Sequence, residues 1–381
     1  MKKKLIKFDI IHPQTWLVEK KREVSDLPGM SLAEYRQWLI GLASNYADFY
    51  TYPLNESGAW EAEEYFLLDP DFEWKVAREL WGAPQAWIRK VAVKVLERIA
   101  PSRMRWSEHV LESYVRRHRF EVLFARSQPI RSAFWQRFRA DHLLVARLSA
   151  RLPHRWHPND FDLIYTDQPD FKTFFELHGV PTIMNKQGFD PRIIDRLPVT
   201  PAGEGVVFVG GLGTRNFSQR TDFLEQLAGR VPNFRWWGYW WTESGDGRTL
   251  ADFPNLQRTF QGPTSGLEMY RIYYDALVVV NDYVDTANGI GFNQRMFEVM
   301  GCGGMLLTRA APNFADDFPP DLFATYDDLT SCLTQIERLC ADPERSRAYR
   351  TAARKHVLEH FNYRDIAEQF GRDVTALLER R

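Results

Sequence analysis

Short apolar runs alternate with longer stretches of helical spacing along most of the chain. Residues 5–11, LIKFDII, read as a strand, and His12-Pro13 closes it, because proline turns the residue before it away from the helical region. The loop that follows therefore sits at a strand's C-terminal end. Ser31 to Tyr46 set Leu32, Tyr35, Leu39, Leu42 and Ala43 at helical spacing, with Ser31 and Glu34 as a capping box. A short strand is expected at Phe49 to Tyr52, and helical periodicity over 56–79 and 83–119. Glu121 to Arg126 and Phe161 to Thr166 are apolar runs bounded by polar turns, as buried strands of a parallel sheet are.

After Gly179-Val180-Pro181 the chain is rich in turn residues from Asn185 to Gly205, with Pro191, Pro198 and Pro201, which predicts a linker over 191–204 between domains 1–190 and 205–360. The alternation then restarts. Strands are expected at Val206–Val209, Phe234–Trp241, Ala276–Asn281 and Met305–Thr308. Helices are expected at Phe217–Ala228, Gly266–Tyr274, Phe292–Gly301, Asp327–Leu339 and Pro343–Glu359. The fold class is α/β.

A length of 381 residues agrees with two domains. Lys plus Arg number 49 against 50 Asp plus Glu, so no whole-protein field draws nucleic acid. Charge is instead local: 56–79 carry eight acids and two bases, 83–119 nine bases and three acids. Solvated helical faces account for this most simply, and a basic surface meeting an acidic acceptor or anionic lipid is the sharper reading. Cys302, Cys332 and Cys340 lack zinc spacing and suggest a reducing, cytoplasmic setting. No run reaches the roughly 20 apolar residues that cross a bilayer, so any membrane contact is expected to be peripheral, at the inner face.

Chemistry concentrates between Ala276 and Thr308, a strand, a glycine loop, a helix, a glycine turn and a strand. Gly289 and Gly291 lead into a helix start, where amide N–H groups and the positive dipole end suit phosphate; turn chemistry alone accounts for such a loop equally well. Arg295, one turn inside, adds a charged donor. Glu298 lies where a carboxylate accepts from two vicinal hydroxyls of a ribose. Gly301, Gly303 and Gly304 end the helix and let the next strand approach, a packing role that needs no ligand.

The run GFNQRMFEVMGCGGMLLT resembles the C-terminal signature of GT-B glycosyltransferases, in particular the CgeB-like group named for a spore-coat maturation protein. Val206-Val-Phe-Val-Gly-Gly211 with Arg220 resembles the opening strand of that family's donor domain. Tyr326-Asp-Asp-Leu329, Asp342-Pro-Glu344 and His360-Phe-Asn-Tyr-Arg364 resemble its closing helices, and Phe161–Thr166 and Gly188–Pro191 its acceptor-domain end and linker. The resemblance implies two facing Rossmann-like domains with parallel sheets, the first for acceptor and the second for a nucleoside-diphosphate sugar. It also implies that the last helix, within 361–381, packs back on the first domain. Glu298 falls at the ribose-binding glutamate, and Gly210, Gly211, Arg220, Gly291, Phe292, Asn293 and Arg295 near the diphosphate. A second glutamate of many retaining relatives, eight residues earlier, is Ile290 here, so the resemblance leaves stereochemistry open.

The resemblance implies no bound metal, since arginines and helix amides neutralise the leaving diphosphate. Asp69-Pro-Asp71 and Asp160-Phe-Asp162 look like acidic metal motifs, but one lies in an acidic helical stretch and the other opens a strand. If the enzyme inverts, a base belongs on a loop after a first-domain strand, where His12 sits with Asp9 beside it; a solvated loop histidine accounts for His12 equally well. His109, His118, His154 and His157 read as surface residues. Within Trp236–Trp241, Tyr239 is the ring placed to stack on a base or sugar, and Gly262-Pro263 with Glu268 forms a second candidate rim. The expected activity is sugar transfer to a glycan, lipid-linked or small-molecule acceptor; alternatives are a non-catalytic carbohydrate-binding or surface-layer scaffold and a nucleotide-sugar epimerase.

Overall fold

A computed structural model describes residues 2–99, 105–126, 131–148, 157–215, 217–241, 246–283, 290–291, 293–319 and 321–381. Two compact units divide the chain. The first comprises Met1–His12, Glu19–Lys186 and Arg364–Arg381, the second Pro13–Val18 and Gln187–Tyr363.

The first unit is built on six parallel strands: β1 (Lys3–Asp9), β2 (Trp60–Phe66), β3 (Val122–Ala125), β4 (Leu143–Arg147), β5 (Leu163–Thr166) and β6 (Thr182–Met184), ordered β2-β1-β3-β4-β5-β6. The order reverses between β1 and β3. Ser31 caps the helix Leu32–Gly41 in the expected box with Glu34, but the helix stops before Tyr46, because Ala43, Asn45 and Ala47 all take positive φ.

Two expectations fail here. Phe49–Tyr52 is not a strand but a turn running into the helix Thr51–Glu56. Residues 60–66, in the acidic stretch expected to be helical, are the edge strand β2. Its carboxylates are paired: Glu61 with Lys4 at 3.2 Å and buried Glu64 with buried Lys7 at 2.8 Å, each directly across the ladder, and Glu63 with Arg36 of the helix Leu32–Gly41 at 3.2 Å. Carboxylates along an outer strand also discourage edge-to-edge pairing with another sheet. Asp69 ends this stretch as the cap of the helix Pro70–Trp81.

The helix Tyr363–Leu378 contributes to the first unit from Arg364 onward. Phe370 is fully buried between Phe124, Tyr165 and Tyr50, with ring centroids at 4.6, 5.4 and 5.5 Å. Tyr165 donates its hydroxyl to Asp373 at 2.8 Å, which ties the end of the chain to β5. Tyr165→Phe should lower unfolding free energy in urea by about 1–2 kcal/mol, since a half-buried acceptor loses one donor and keeps Gln369.

The second unit holds β7 (Val206–Val209), β8 (Phe234–Trp237), β9 (Val278–Asn281), β10 (Leu306–Arg309) and β11 (Ala324–Tyr326), all parallel in the order β11-β10-β9-β7-β8. Phe208, Leu224, Trp236, Val280 and Leu307 fill the core on one face. The helix Gln294–Cys302 ends at Gly303, whose φ of 85° is the left-handed cap that glycine adopts without penalty. Residues 187–204 belong with this unit, and the turn Pro191–Arg196 buries Ile193.

Candidate functional site

In the second unit β7 runs on to β8 in one direction and β9 to β10 and β11 in the other, so strand order reverses between β7 and β9. The crevice beyond their carboxyl ends is where open α/β sheets take ligands. β7 ends there in Gly210-Gly211 and β9 in Asn281-Asp282.

Asn281 organises the crevice. Its side chain is fully buried; the carbonyl oxygen accepts from Asn293 Nδ2 at 2.9 Å and Arg295 Nη1 at 2.8 Å, while Nδ2 donates to Thr308 Oγ1 at 2.9 Å. Asn293 also caps the helix Gln294–Cys302 by accepting from the Met296 amide at 3.2 Å. One asparagine thus fixes the helix start, the arginine and the neighbouring strand together. Sequence reasoning missed Asn281; the available signal was an amide and a carboxylate closing an otherwise all-valine strand.

Arg295 lies with its guanidinium over the Phe208 ring at 4.6 Å, and a Cβ on Gly210 would stand 2.2 Å from its Nη2. Only glycine leaves room for that approach. Arg220, buried on the helix Ser218–Arg230, donates to the carbonyls of Gly211 and Asp282, the latter at 3.3 Å, and covers Phe217 at 4.4 Å and Phe208 at 5.5 Å. Two guanidinium groups therefore share one aromatic ring. Asp282 is engaged elsewhere, in a two-point pair with Arg309 at 2.8 Å for each bond, which raises the Arg309 pKa. Tyr239 packs against Gly211, where a Cβ would stand 2.7 Å from its Cζ; burial raises its phenol pKa, and Arg220 and Arg295 oppose the rise.

Glu298 follows one turn after Arg295 and is 6% exposed. Burial pushes its pKa up to about 7, against the pull of Arg295 and a hydrogen bond with Gln294. Burial raises the pKa of Tyr270 and Tyr273 of the helix Gly266–Asp275, and the Glu298 carboxylate adds to the rise in both. A carboxylate held in so apolar a place favours a ligand that donates hydrogen bonds to its charged form.

Gly210, Gly211, Arg220, Tyr239, Asn293, Arg295 and Glu298 are thus brought together in one unit. Gly291 departs from expectation, because its amide donates to Asn313 Oδ1 at 2.7 Å and it packs tightly on Ala311 and Phe314 instead of presenting a free N–H. Gly289 and Phe292 lie outside the described residues. In the proposed second rim, Glu268 accepts from Trp16 Nε1 at 2.8 Å.

In the first unit the order reversal between β1 and β3 places the end of β1 at the equivalent crevice. Asp9 is buried there, accepts from the Ile10 amide at 2.9 Å and lies 3.6 Å from Lys7 Nζ. His12 is exposed in the following loop. The surrounding chain lowers its pKa, and Asp9 partly offsets this. Of the other histidines, His109 and His118 are half-buried rather than on the surface, the first stacked on Trp81 at 5.4 Å and the second tilted against Tyr114 at 4.2 Å; His157 is exposed, and His154 lies outside the described residues. Asp69 and Asp71 share Lys21 at 2.7 and 2.8 Å, and Asp160 accepts from Ser132 at 2.7 Å. Among the described residues no group of three or more His, Cys, Asp or Glu could hold a metal ion. No described helix is long and apolar enough to cross a membrane.

Residues 218–372, which include Arg220, Asn281, Arg295 and Glu298, match the family described as Glycosyl transferase-like. The sucrose-phosphate synthase of Thermosynechococcus elongatus superposes with a TM-score of 0.56 at 14% identity, covering 100% of each chain. Anabaena HepE in complex with UDP-glucose superposes with a TM-score of 0.57 at 13% identity, over 98% of this chain and 99% of that one. The fold is GT-B. A Rickettsia africae glycosyltransferase shares it, with a TM-score of 0.54 at 9% identity over 99% of this chain and 98% of the other. No curated protein matches in sequence. The family match begins at the helix Ser218–Arg230, after β7, and ends inside the last helix.

Proposed function

We propose that this GT-B protein is a glycosyltransferase that moves a sugar from a nucleoside-diphosphate sugar to a glycan, lipid-linked or small-molecule acceptor. The observation that carries this is the placement, at the β7–β9 crevice, of two guanidinium groups beside a glycine pair, with a buried carboxylate one helical turn beyond. Arg220 and Arg295 suit a diphosphate and Glu298 a ribose diol, while the ring of Tyr239 suits a base or sugar face. That HepE was crystallised with UDP-glucose supports a donor of this class.

Transfer breaks the bond between the anomeric carbon and the diphosphate oxygen, whose electrons pass to the leaving group. Fixed cations aimed at that oxygen stabilise the developing charge without rearrangement, which is the largest service a site of this kind performs. The acceptor hydroxyl gives up its proton as it bonds to the anomeric carbon. For transfer with inversion we assign its removal to His12, whose lowered pKa keeps the ring neutral and able to accept near pH 7. Asp9 serves His12 electrostatically.

Purified protein incubated with UDP-, GDP-, ADP- and TDP-sugars should release the nucleoside diphosphate from one of them, by slow hydrolysis alone and faster with the right acceptor. EDTA should leave that rate unchanged, because the arginines supply the positive charge. An epimerised donor with no release would make the protein an epimerase, and folded protein that turns over none of them would favour the non-catalytic scaffold.

A further inference from the structure

The helix Ala83–Ile99 of the first unit has two apolar faces. One is ordinary: Ala86 and Val93 are buried against the rest of the unit. Successive helical residues turn by about 100°, so Trp87, Ile88, Val91, Val95 and Ile99 fall within an arc of roughly 120° on the opposite side. All five are exposed, Trp87 at 62% and Ile99 at 76%. Single exposed apolar side chains are common on any surface, but a continuous stripe on one helix marks a surface that meets something.

The charges bordering the stripe select the partner. Lys90 and Lys94 line one edge and Arg89 lies beyond the other, Arg98 falls within the stripe between Trp87 and Val91, and the helix's single acid, Glu97, turns inward and pairs with Lys94 at 2.6 Å. Beside the helix runs a groove whose lining includes Trp74, Trp87, Lys90, Val91 and Arg98, with Lys90 Nζ over the Trp74 ring at 5.2 Å; its one carboxylate, Asp71, is paired with Lys21 at 2.8 Å. Apolar residues flanked by cations, with tryptophans beside them, match the boundary between acyl chains and anionic headgroups. A second copy fits less well, because isologous pairing of this face sets its cations against their own equivalents.

We propose that the helix Ala83–Ile99 docks the protein on an anionic lipid bilayer, its outward apolar face entering the acyl boundary and its flanking cations meeting lipid phosphates. This surface lies on the first unit and does not depend on the transfer reading.

Flotation of the full chain with vesicles tests it, using phosphatidylcholine alone and phosphatidylcholine mixed with phosphatidylglycerol. The protein should float with the mixed vesicles, weakly with phosphatidylcholine, and progressively less as salt rises. Val91→Asp, at the centre of the stripe, should weaken binding by at least about tenfold. Leu177→Asp, at a more exposed apolar site on another helix, should leave it unchanged, and both variants should melt as the parent does. Failure of the parent to float with anionic vesicles would overturn the proposal, as would equal losses in the two variants. Sedimentation showing a dimer that Val91→Asp alone dissociates would overturn it in favour of a second copy. Nucleotide binding by the same samples, measured without vesicles, reads the other unit and is expected to be unaffected by either variant.

Discussion

Arg295→Ala should weaken nucleoside-diphosphate binding and slow sugar transfer by about 100- to 1000-fold while leaving the protein folded. The guanidinium is held by Asn281 and the Phe208 ring, so its position is set before ligand arrives. Its loss removes a preorganised charge from the diphosphate, which is worth far more in a crevice than in water. The structural cost is small, on the order of 1 kcal/mol, because Asn281 keeps its bond from Asn293. Arg295→Lys should fall between the two, since a lysine keeps the charge but lacks the planar fork. Calorimetric titration with the cognate nucleotide, alongside melting curves, checks all three. Unchanged affinity in folded Arg295→Ala would remove Arg295 from the site.

Glu298→Gln should have opposite effects on stability and on binding. Folding raises the Glu298 pKa from its ordinary value of 4.5 to about 7. Below the lower value both folded and unfolded states hold the proton, and nothing is lost. Between the two values the unfolded chain releases the proton while the folded one keeps it, so stability falls as pH rises; above about 7 the full cost of burying the charge applies. Glu298→Gln should therefore be more stable than the parent above pH 7, by up to about 3 kcal/mol, and nearly equal to it at low pH. Binding should go the other way. A ribose diol donates to the ionised carboxylate, so nucleotide affinity in the parent should fall as pH drops through about 7. The nucleotide's own phosphate titrates nearby, so the quantity to read is the parent's pH slope minus that of Glu298→Gln, which approaches tenfold per pH unit at its steepest. A carboxylate retained at a cost to stability is the pattern expected of a binding residue.

The second unit was the more legible in the sequence. Its strands Val206–Val209 and Val278–Asn281 are unbroken valine-rich runs separated by helices, so period alone separates them, and Asn293, Arg295 and Glu298 read off one helix start. In the first unit local pattern competed with tertiary context. Glu61, Glu63 and Glu64 look like a helical face until Lys4, Arg36 and Lys7 are brought in from distant positions. β4 is hard to read because it ends in Arg147, a buried residue whose partners include Asp167, at 3.7 Å, and the Asn185 carbonyl, both distant along the chain. Asn281 shows the same limit at the site: its role arises from Asn293, Arg295 and Thr308 converging on it, and no spacing along the chain encodes that.

The β7–β9 crevice of the second unit is expected to bind a nucleoside diphosphate. The most direct test is isothermal titration of the purified full chain, without added metal, against UDP, GDP, ADP and TDP, with Arg295→Ala run in parallel. Saturable one-to-one binding of one of these, and its near loss in the variant, is the expected result. Well-folded protein that binds none of them, or binds one equally well with and without the Arg295 guanidinium, would contradict it.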